Sequence, residues 1–240
     1  MSEVRTPEAF YAHVDTAAPG LDARLSIMLD EYRQFRATRA GSLRVLDVGC
    51  GRKAVLSRYV DPDDHYSGCD IAELEVTDVE SFRRVNLNED TLVEAFAGQT
   101  FDLIFCGEVV EHVFSPDAVM EDLHALLAEN GLLLLSTPNL AYWVNRVLLL
   151  FGISPLFLEN SARKKLGRFT RLLGQANQTE GHIRVFTYRA VRELLDMYAF
   201  ELLRSHPAPV WEFFLPDRLV CRLSPSLSPD VVYVARRRGG

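Results

Sequence analysis

The sequence predicts a doubly wound α/β fold: a mostly parallel sheet with helices on both faces. Three observations predict it. Seven short apolar runs alternate with amphipathic segments along the 240 residues, the rhythm of strand–helix–strand units. The run "LLLLST" at 132–137 is apolar almost throughout, as a strand buried on both faces must be. The first run, "RVLDVG", leads into two glycines one residue apart, Gly49 and Gly51, the tight turn that closes a nucleotide-binding strand.

The elements follow in order. Leu21, Leu25, Met28, Leu29, Tyr32 and Phe35 fall at helical spacing over 21–39, with Gly41 placed to end the helix. Residues 44–49 form the first strand, and "KAVLSRYV" (53–60) reads as the helix after it. "HYSGCDI" (65–71), "RRVNLN" (83–88) and "FDLIFCG" (101–107) supply strands two to four. The segment 115–131 is a helix: Ser115 caps it, Pro116 takes the first helical position, and Asn130-Gly131 end it. After the fifth strand the rhythm breaks, and 140–180 carry an apolar stretch, a Gly/Pro break and basic residues. Thr187 then caps "YRAVRELLDMYA", and "FELLRSHP" and "VVYVARR" complete the sheet.

Composition narrows the function. Acids outnumber bases 33 to 26, a net charge of −7, which argues against nucleic-acid binding. Four cysteines, none in CxxC spacing, fit a reducing compartment, so the expected location is the cytoplasm. The polar N-terminus is no secretory signal. The stretch 140–158 is interrupted by Asn145, Arg146, Gly152 and Pro155, so it does not read as a membrane span.

The glycine turn invites a ligand, and Asp47 selects among ligands. A carboxylate in a strand's last turn is costly to bury without a partner. One with a task there accepts hydrogen bonds from a cationic group, such as the α-ammonium of S-adenosylmethionine. That cofactor has no diphosphate to cradle. An NAD(P)-dependent oxidoreductase or epimerase would explain the glycines but not Asp47, and the chain shows no Tyr-x-x-x-Lys pair.

"VLDVGCG" resembles the first motif of class I S-adenosylmethionine-dependent methyltransferases. Later segments resemble the same family in order, across 44–139 and again at "GHIRVFTYRAVRELL" (181–195), where the similarity is to the ubiquinone-type O-methyltransferases. The resemblance implies a Rossmann-like sheet of order 3-2-1-4-5-7-6, its last strand antiparallel, with a helical lid. It implies that Asp47, Gly49, Cys50 and Gly51 hold the methionine end. Asp70, in "GCDI" with Ile71, would hold the ribose, Asn86 and Leu87 the adenine, and Cys106 with Gly107 would lie near the sulfonium. Two positions depart from the family pattern: Lys53 replaces the third glycine, and Asn86 replaces an aspartate. Lys53 is expected to face solvent, and the Asn86 amide oxygen still accepts from an adenine amino group.

The candidate catalytic residues are His182, His112 and Glu111. A hydroxyl acceptor loses a proton as it attacks, and histidine accepts protons near neutral pH. His182 reads equally as a loop-fixing histidine, and His112 as a hydrogen-bonding wall residue. "EVVEH" places Glu108, Glu111 and His112 together, an incomplete ligand set, and no metal is expected. Cys50, Cys69 and Cys106 end strands and read as small apolar residues.

The chain is read as a single methyltransferase domain, 1–240, with an N-terminal helical cap (1–40) and an acceptor-site lid (140–180). Leu140, Trp143, Val144, Val147, Leu148 and Phe151 form one helical stripe. As a lid it would shelter an acceptor. Contact in a homodimer and docking at a membrane surface are its other readings. The expected reaction is methyl transfer to a small-molecule acceptor, at oxygen, with an apolar or aromatic part. A non-catalytic S-adenosylmethionine-binding accessory protein is the remaining alternative.

Overall fold

A computed structural model describes residues 21–76, 79, 81–168, 178–209 and 215–238. The N-terminal half of the expected cap and part of the 140–180 segment lie outside the described residues.

Seven strands form one sheet: β1 (Arg44–Val48), β2 (His65–Asp70), β3 (Ser81–Arg84), β4 (Phe101–Gly107), β5 (Leu127–Pro138), β6 (Phe200–Ala208) and β7 (Asp230–Arg237). Their order is β3-β2-β1-β4-β5-β7-β6. The first five pair in parallel, and β7 runs antiparallel between β5 and β6. The chain steps from β1 outward to β3, then returns to β4 on β1's other side. That reversal opens a crevice at the carboxyl ends of β1 and β4.

Alternation along the central strands fills two cores. Leu46, Val48, Ile104, Leu133, Leu135 and Tyr233 face one side; Val45, Leu103, Phe105, Leu132, Leu134 and Val234 face the other. Each such side chain taken from water is worth about 2 kcal/mol. The first side is covered by α3 (Pro116–Leu126) and α5 (Tyr188–Met197), with the one-turn α2 (Leu92–Ala95) at its margin. The second is covered by α1 (Ala23–Ala37) through Met28, Leu29 and Tyr32. The caps follow the sequence: Ser115 Oγ accepts from Ala118 N (3.2 Å) and Thr187 Oγ1 from Ala190 N (3.2 Å). Asp22 caps α1 through Leu25 N (2.7 Å).

Polar anchors fix α1 to the sheet. Its buried Glu31 accepts from both Nε and Nη2 of Arg204 and faces His206 Nε2 at 2.8 Å, both residues on β6. Tyr32 Oη donates to Asp64 Oδ2 (2.6 Å), and Arg36 Nε lies 3.0 Å from Asp64 Oδ1.

Four expectations need correction. The helix over 53–60 is a five-residue 3₁₀ turn, Val55–Tyr59, because Ala54 takes a left-handed φ of 39° and breaks the helical path. The helix from 115 stops at Leu126, not at Asn130-Gly131. Leu126 and Leu127 are both buried as the chain passes directly into β5, where Leu127 pairs with Phe101. The third strand covers 81–84, ahead of the expected 83–88. The apolar stripe after β5 is divided on α4 (Trp143–Leu150): Val144 and Leu148 are buried, while Val147 and Phe151 are exposed. Packing against α6 (Leu215–Leu223) takes only one narrow face.

Candidate active site

A cleft of about 590 Å³ lies over the carboxyl ends of β1, β2 and β4. Asp47, Gly49, Cys50, Gly51, Asp70, Ile71, Asn86, Leu87 and Gly107 all line it. Cys106 does not: it is fully buried, and burial pushes its thiol well up. Lys53, expected in solvent, is half-buried and lines the cleft.

The glycine corner is built around β2. Gly49 and Gly51 have φ of 73° and 68°, conformations that favour glycine. A Cβ on Gly49 would also overlap Val109 Cγ2. The loop amides are committed internally. Gly49 N and Cys50 N donate to Cys69 O (2.9 and 3.1 Å), and Gly51 N donates to Asp70 Oδ2 (2.9 Å). The helix expected to present further amides is the short 3₁₀ turn. The first three amides of the turn are therefore not offered to a diphosphate.

Carboxylates take that place. Asp47 is 4% exposed, and Tyr66 Oη donates to its Oδ2 (2.6 Å). Burial pushes the Asp47 carboxyl up to about 7; neighbouring Asp70 adds to this, while Tyr66 and Arg24 oppose it. Asp70 accepts from Gly51 N and from Ala72 N (2.8 Å). Each of its oxygens retains a lone pair for a further donor. Asn86 Oδ1 accepts from Asn88 N (3.2 Å), and Asn88 Oδ1 from Phe114 N (2.8 Å), so the loop after β3 is tied to the far wall.

Sequence reasoning missed Arg24. It lines the cleft from the first turn of α1, its guanidinium 3.1 Å from Asp22 and 4.0 Å from Asp230. Burial opposes its charge, but Glu108, Asp22 and Asp230 hold it firmly protonated. A signal was present: Arg24 stands on the apolar stripe, three residues after Leu21 and four before Met28. Glu108, at the end of β4 with φ 57°, lines the cleft and accepts from Ser136 Oγ (3.0 Å). The Asp230 carboxyl hydrogen-bonds Glu108; burial, then the charge of Glu108, hold it well above the carboxylate range.

Beyond Glu108 the chain turns through Val110–His112. His112 lines the cleft, with Nδ1 3.1 Å from Gly181 O. That contact assigns the proton to Nδ1 and leaves Nε2 basic. Burial and the neighbouring His182 lower its pKa. Glu111 is buried behind it. Thr137 Oγ1 donates to its Oε2 (3.0 Å), while its Oε1 has no hydrogen-bond partner and lies 3.9 Å from His112 Nε2. Burial, then Glu108, raise the Glu111 carboxyl well above its ordinary range. The His182 ring lies 5.0 Å from that of His112, its Nδ1 3.1 Å from Phe157 O, and it is not among the residues lining the cleft. Glu111, His112 and His182 bring one ligand atom each within 4.8 Å of one another, as do Glu159, Glu180 and His182. The second set already holds a cation, the Lys165 ammonium, 2.7 Å from Glu180 and 3.7 Å from Glu159.

The cleft fits S-adenosylmethionine on its own terms. It sets a buried acid, Asp47, a guanidinium, Arg24, and the acceptor oxygens of Asp70 along one cleft.

Comparison with known proteins agrees. The family profile described as "Methyltransferase domain" matches residues 22–205. A ubiquinone biosynthesis O-methyltransferase from Histophilus somni is 32% identical over 120 residues, which are 45% of this chain and 50% of that protein. The chain thus spans about half the length of the curated relatives it matches. Two solved structures share the fold. An S-adenosylmethionine-dependent methyltransferase from Mesorhizobium loti superposes with TM-score 0.53 at 18% identity, over 87% of this chain and all of that one. The 1,6-didemethyltoxoflavin-N1-methyltransferase of Burkholderia thailandensis, with S-adenosylhomocysteine bound, superposes with TM-score 0.51 at 15% identity, over 93% and 94%. With the profile covering most of the sequence and the sheet order matching, the chain belongs to the class I S-adenosylmethionine-dependent methyltransferase family.

Proposed function

We propose that this cleft binds S-adenosylmethionine and that the chain directs its methyl group to an oxygen of a small-molecule acceptor. The observation that carries the reading is the division of labour in the glycine corner. Its amides are spent on Cys69 and Asp70, while the Asp47 carboxyl, with a single donor from Tyr66, lines the cleft. The name of the Histophilus somni relative supports oxygen as the acceptor atom.

When bound, the cofactor supplies a methyl carbon already activated by a positive sulfur. The chain contributes alignment and exclusion of water. Asp47, with the Gly49–Cys50–Gly51 backbone, receives the α-ammonium, and Arg24 receives the α-carboxylate. Asp70 accepts from the ribose hydroxyls. Ile71 and Leu87 form apolar walls for the adenine, and Asn86 offers its amide. The Cys106–Gly107 backbone closes the floor near the sulfur. His112 Nε2 takes the proton of the acceptor hydroxyl, since its lowered pKa keeps it neutral and basic at pH 7. Glu111 and His182 position it. Phe114 and Ile183, both exposed, adjoin the site through Phe114 N to Asn88 Oδ1 (2.8 Å) and Ile183 N to Glu111 O (2.8 Å), and Arg184 Nη2 donates to Phe114 O (2.7 Å). They suit an acceptor with an apolar or aromatic part. The described part of the lid segment, 140–168 and 178–180, leads directly into Gly181, whose carbonyl oxygen meets His112 Nδ1 (3.1 Å).

The test is calorimetric titration with S-adenosylmethionine and NADH in parallel, then an acceptor screen that detects S-adenosylhomocysteine. Binding of the first ligand alone is expected. Asp70→Asn should weaken it at least about tenfold through the loss of a charged acceptor. Equal binding by wild type and variant removes the ribose assignment, and binding of NADH alone removes the cofactor assignment.

A further inference from the structure

Outside the cleft, one fully buried lysine stands against two acids. Lys165 Nζ lies 2.7 Å from Glu180 Oε1 and 3.7 Å from Glu159 Oε1, and its side chain is 1% exposed. Lysine is almost never buried so fully without a partner. Glu159, 5% exposed, spends both its oxygens on backbone: Oε1 accepts from Glu180 N (2.6 Å) and Oε2 from Gly181 N (3.0 Å). Two such amides favour the ionised acid, and Lys165 supplies the cation that a buried carboxylate requires.

The amides that Glu159 takes lie just before the carbonyl that meets His112. Gly181 has a φ of 92°, a conformation that favours glycine, and its oxygen lies 3.1 Å from His112 Nδ1. On its other side, Ile183 N and Arg184 N donate to Glu111 O (2.8 and 3.0 Å). The Gly181 carbonyl is thus held between two anchors, Glu159 before it and the Glu111 backbone after it. The anchor matters because His112 does not fix its own tautomer. A solvated neutral imidazole favours its proton on Nε2, and a proton on Nδ1 needs an acceptor aimed at it. The Glu111 carboxyl, 3.9 Å from Nε2, competes for that proton.

We propose that Glu159 is a positioning residue for His112: by gripping Glu180 N and Gly181 N it aims the Gly181 carbonyl at Nδ1, keeps the proton there and leaves Nε2 as the free base. A buried ion pair is rarely worth more to stability than apolar residues of equal volume; the Glu159–Lys165 pair instead fixes the geometry of a turn. The consequence for methyl transfer rests on the reading of His112 as the group that takes the acceptor's proton.

The test is long-range proton–nitrogen correlation NMR of the histidine rings in the isotope-labelled full chain, at about pH 8, where a histidine of ordinary or lowered pKa is neutral. His112→Gln identifies the His112 signals by their loss. Wild type is expected to carry the proton on Nδ1. Glu159→Gln offers one carbonyl oxygen to two amides, and should move the ratio at least about fivefold toward the Nε2–H form. Glu159→Asp keeps the charge but shortens the reach; it should shift the ratio the same way, and serves where the first variant does not fold. Glu180→Gln is the control. It removes a half-exposed partner of Lys165 and leaves the grip of Glu159 intact, so it should keep the wild-type pattern. A wild-type ring protonated on Nε2, Glu159 variants that keep Nδ1–H, or a Glu180→Gln ring that shifts as far as theirs would overturn the proposal. Methyl transfer does not enter: a His112→Gln chain that still transfers methyl removes the base reading alone, while the ring spectra decide the role of Glu159.

Discussion

Asp47 couples charge to ligand at the residue scale. Its folded pKa of about 7 stands above the ordinary 3.8, chiefly through burial. The raised value adds stability to the empty protein below about pH 4, and that increment is lost as pH rises through 7. A cationic ligand reverses the preference, because it favours the carboxylate. Binding of S-adenosylmethionine should therefore release a proton near pH 7 and tighten as pH rises from 6 to 8. Calorimetry in two buffers of different ionisation enthalpy measures the release, and Asp47→Asn should abolish it. Asp47 was legible in the sequence as an acid set in an apolar strand, and Asp70 through the family resemblance. Arg24 left only a faint signal, its place on the apolar stripe of α1, because two of its acidic neighbours, Glu108 and Asp230, lie far along the chain. Lys53 was misjudged by residue type alone. The left-handed residue falls at Ala54, one position later, and Lys53 sits on the cleft side of that bend.

Among the elements, α1 has the most consequential attachment. It carries Arg24 into the cleft, and Glu31 holds it to β6 through Arg204 and His206. Burial alone would raise the Glu31 pKa, but Arg204 and His206 outweigh it and bring it below the ordinary value. Its stabilising share is thus present at neutral pH and is lost as pH falls through that lowered pKa. Glu31→Ala should cost about 2 kcal/mol, less than a fully buried pair because Arg204 is half-exposed. That lowers the melting temperature by about 5 °C, as scanning calorimetry would show. S-adenosylmethionine affinity should fall with it as Arg24 loses its placement. The elements themselves read well where periodicity was unbroken, as in α1, β4, β5 and α5. They read poorly where one residue decided the path. Ala54 turned a helix into a 3₁₀ turn, and the buried Leu126–Leu127 pair converted the last turn of a helix into strand. Val147 and Phe151 matched a core stripe in spacing, yet α6 offered them no packing partner.

At the scale of the whole molecule, fold class and sheet order followed from the strand rhythm and the family resemblance together. No helix among the described residues is long and apolar enough to cross a membrane. The position of β7 between β5 and β6 carries one more consequence. During N-to-C synthesis β6 leaves the ribosome with no neighbour to pair with, because its only place in the sheet is against a strand not yet made. A nascent chain halted before residue 230 should therefore stay protease-sensitive well upstream, with β6 and the outer edge of β5 both unpaired. Extension past 237 should bring protection of the whole sheet in a single step, which limited proteolysis of stalled chains would detect. Folding is thus timed by the last strand to be translated.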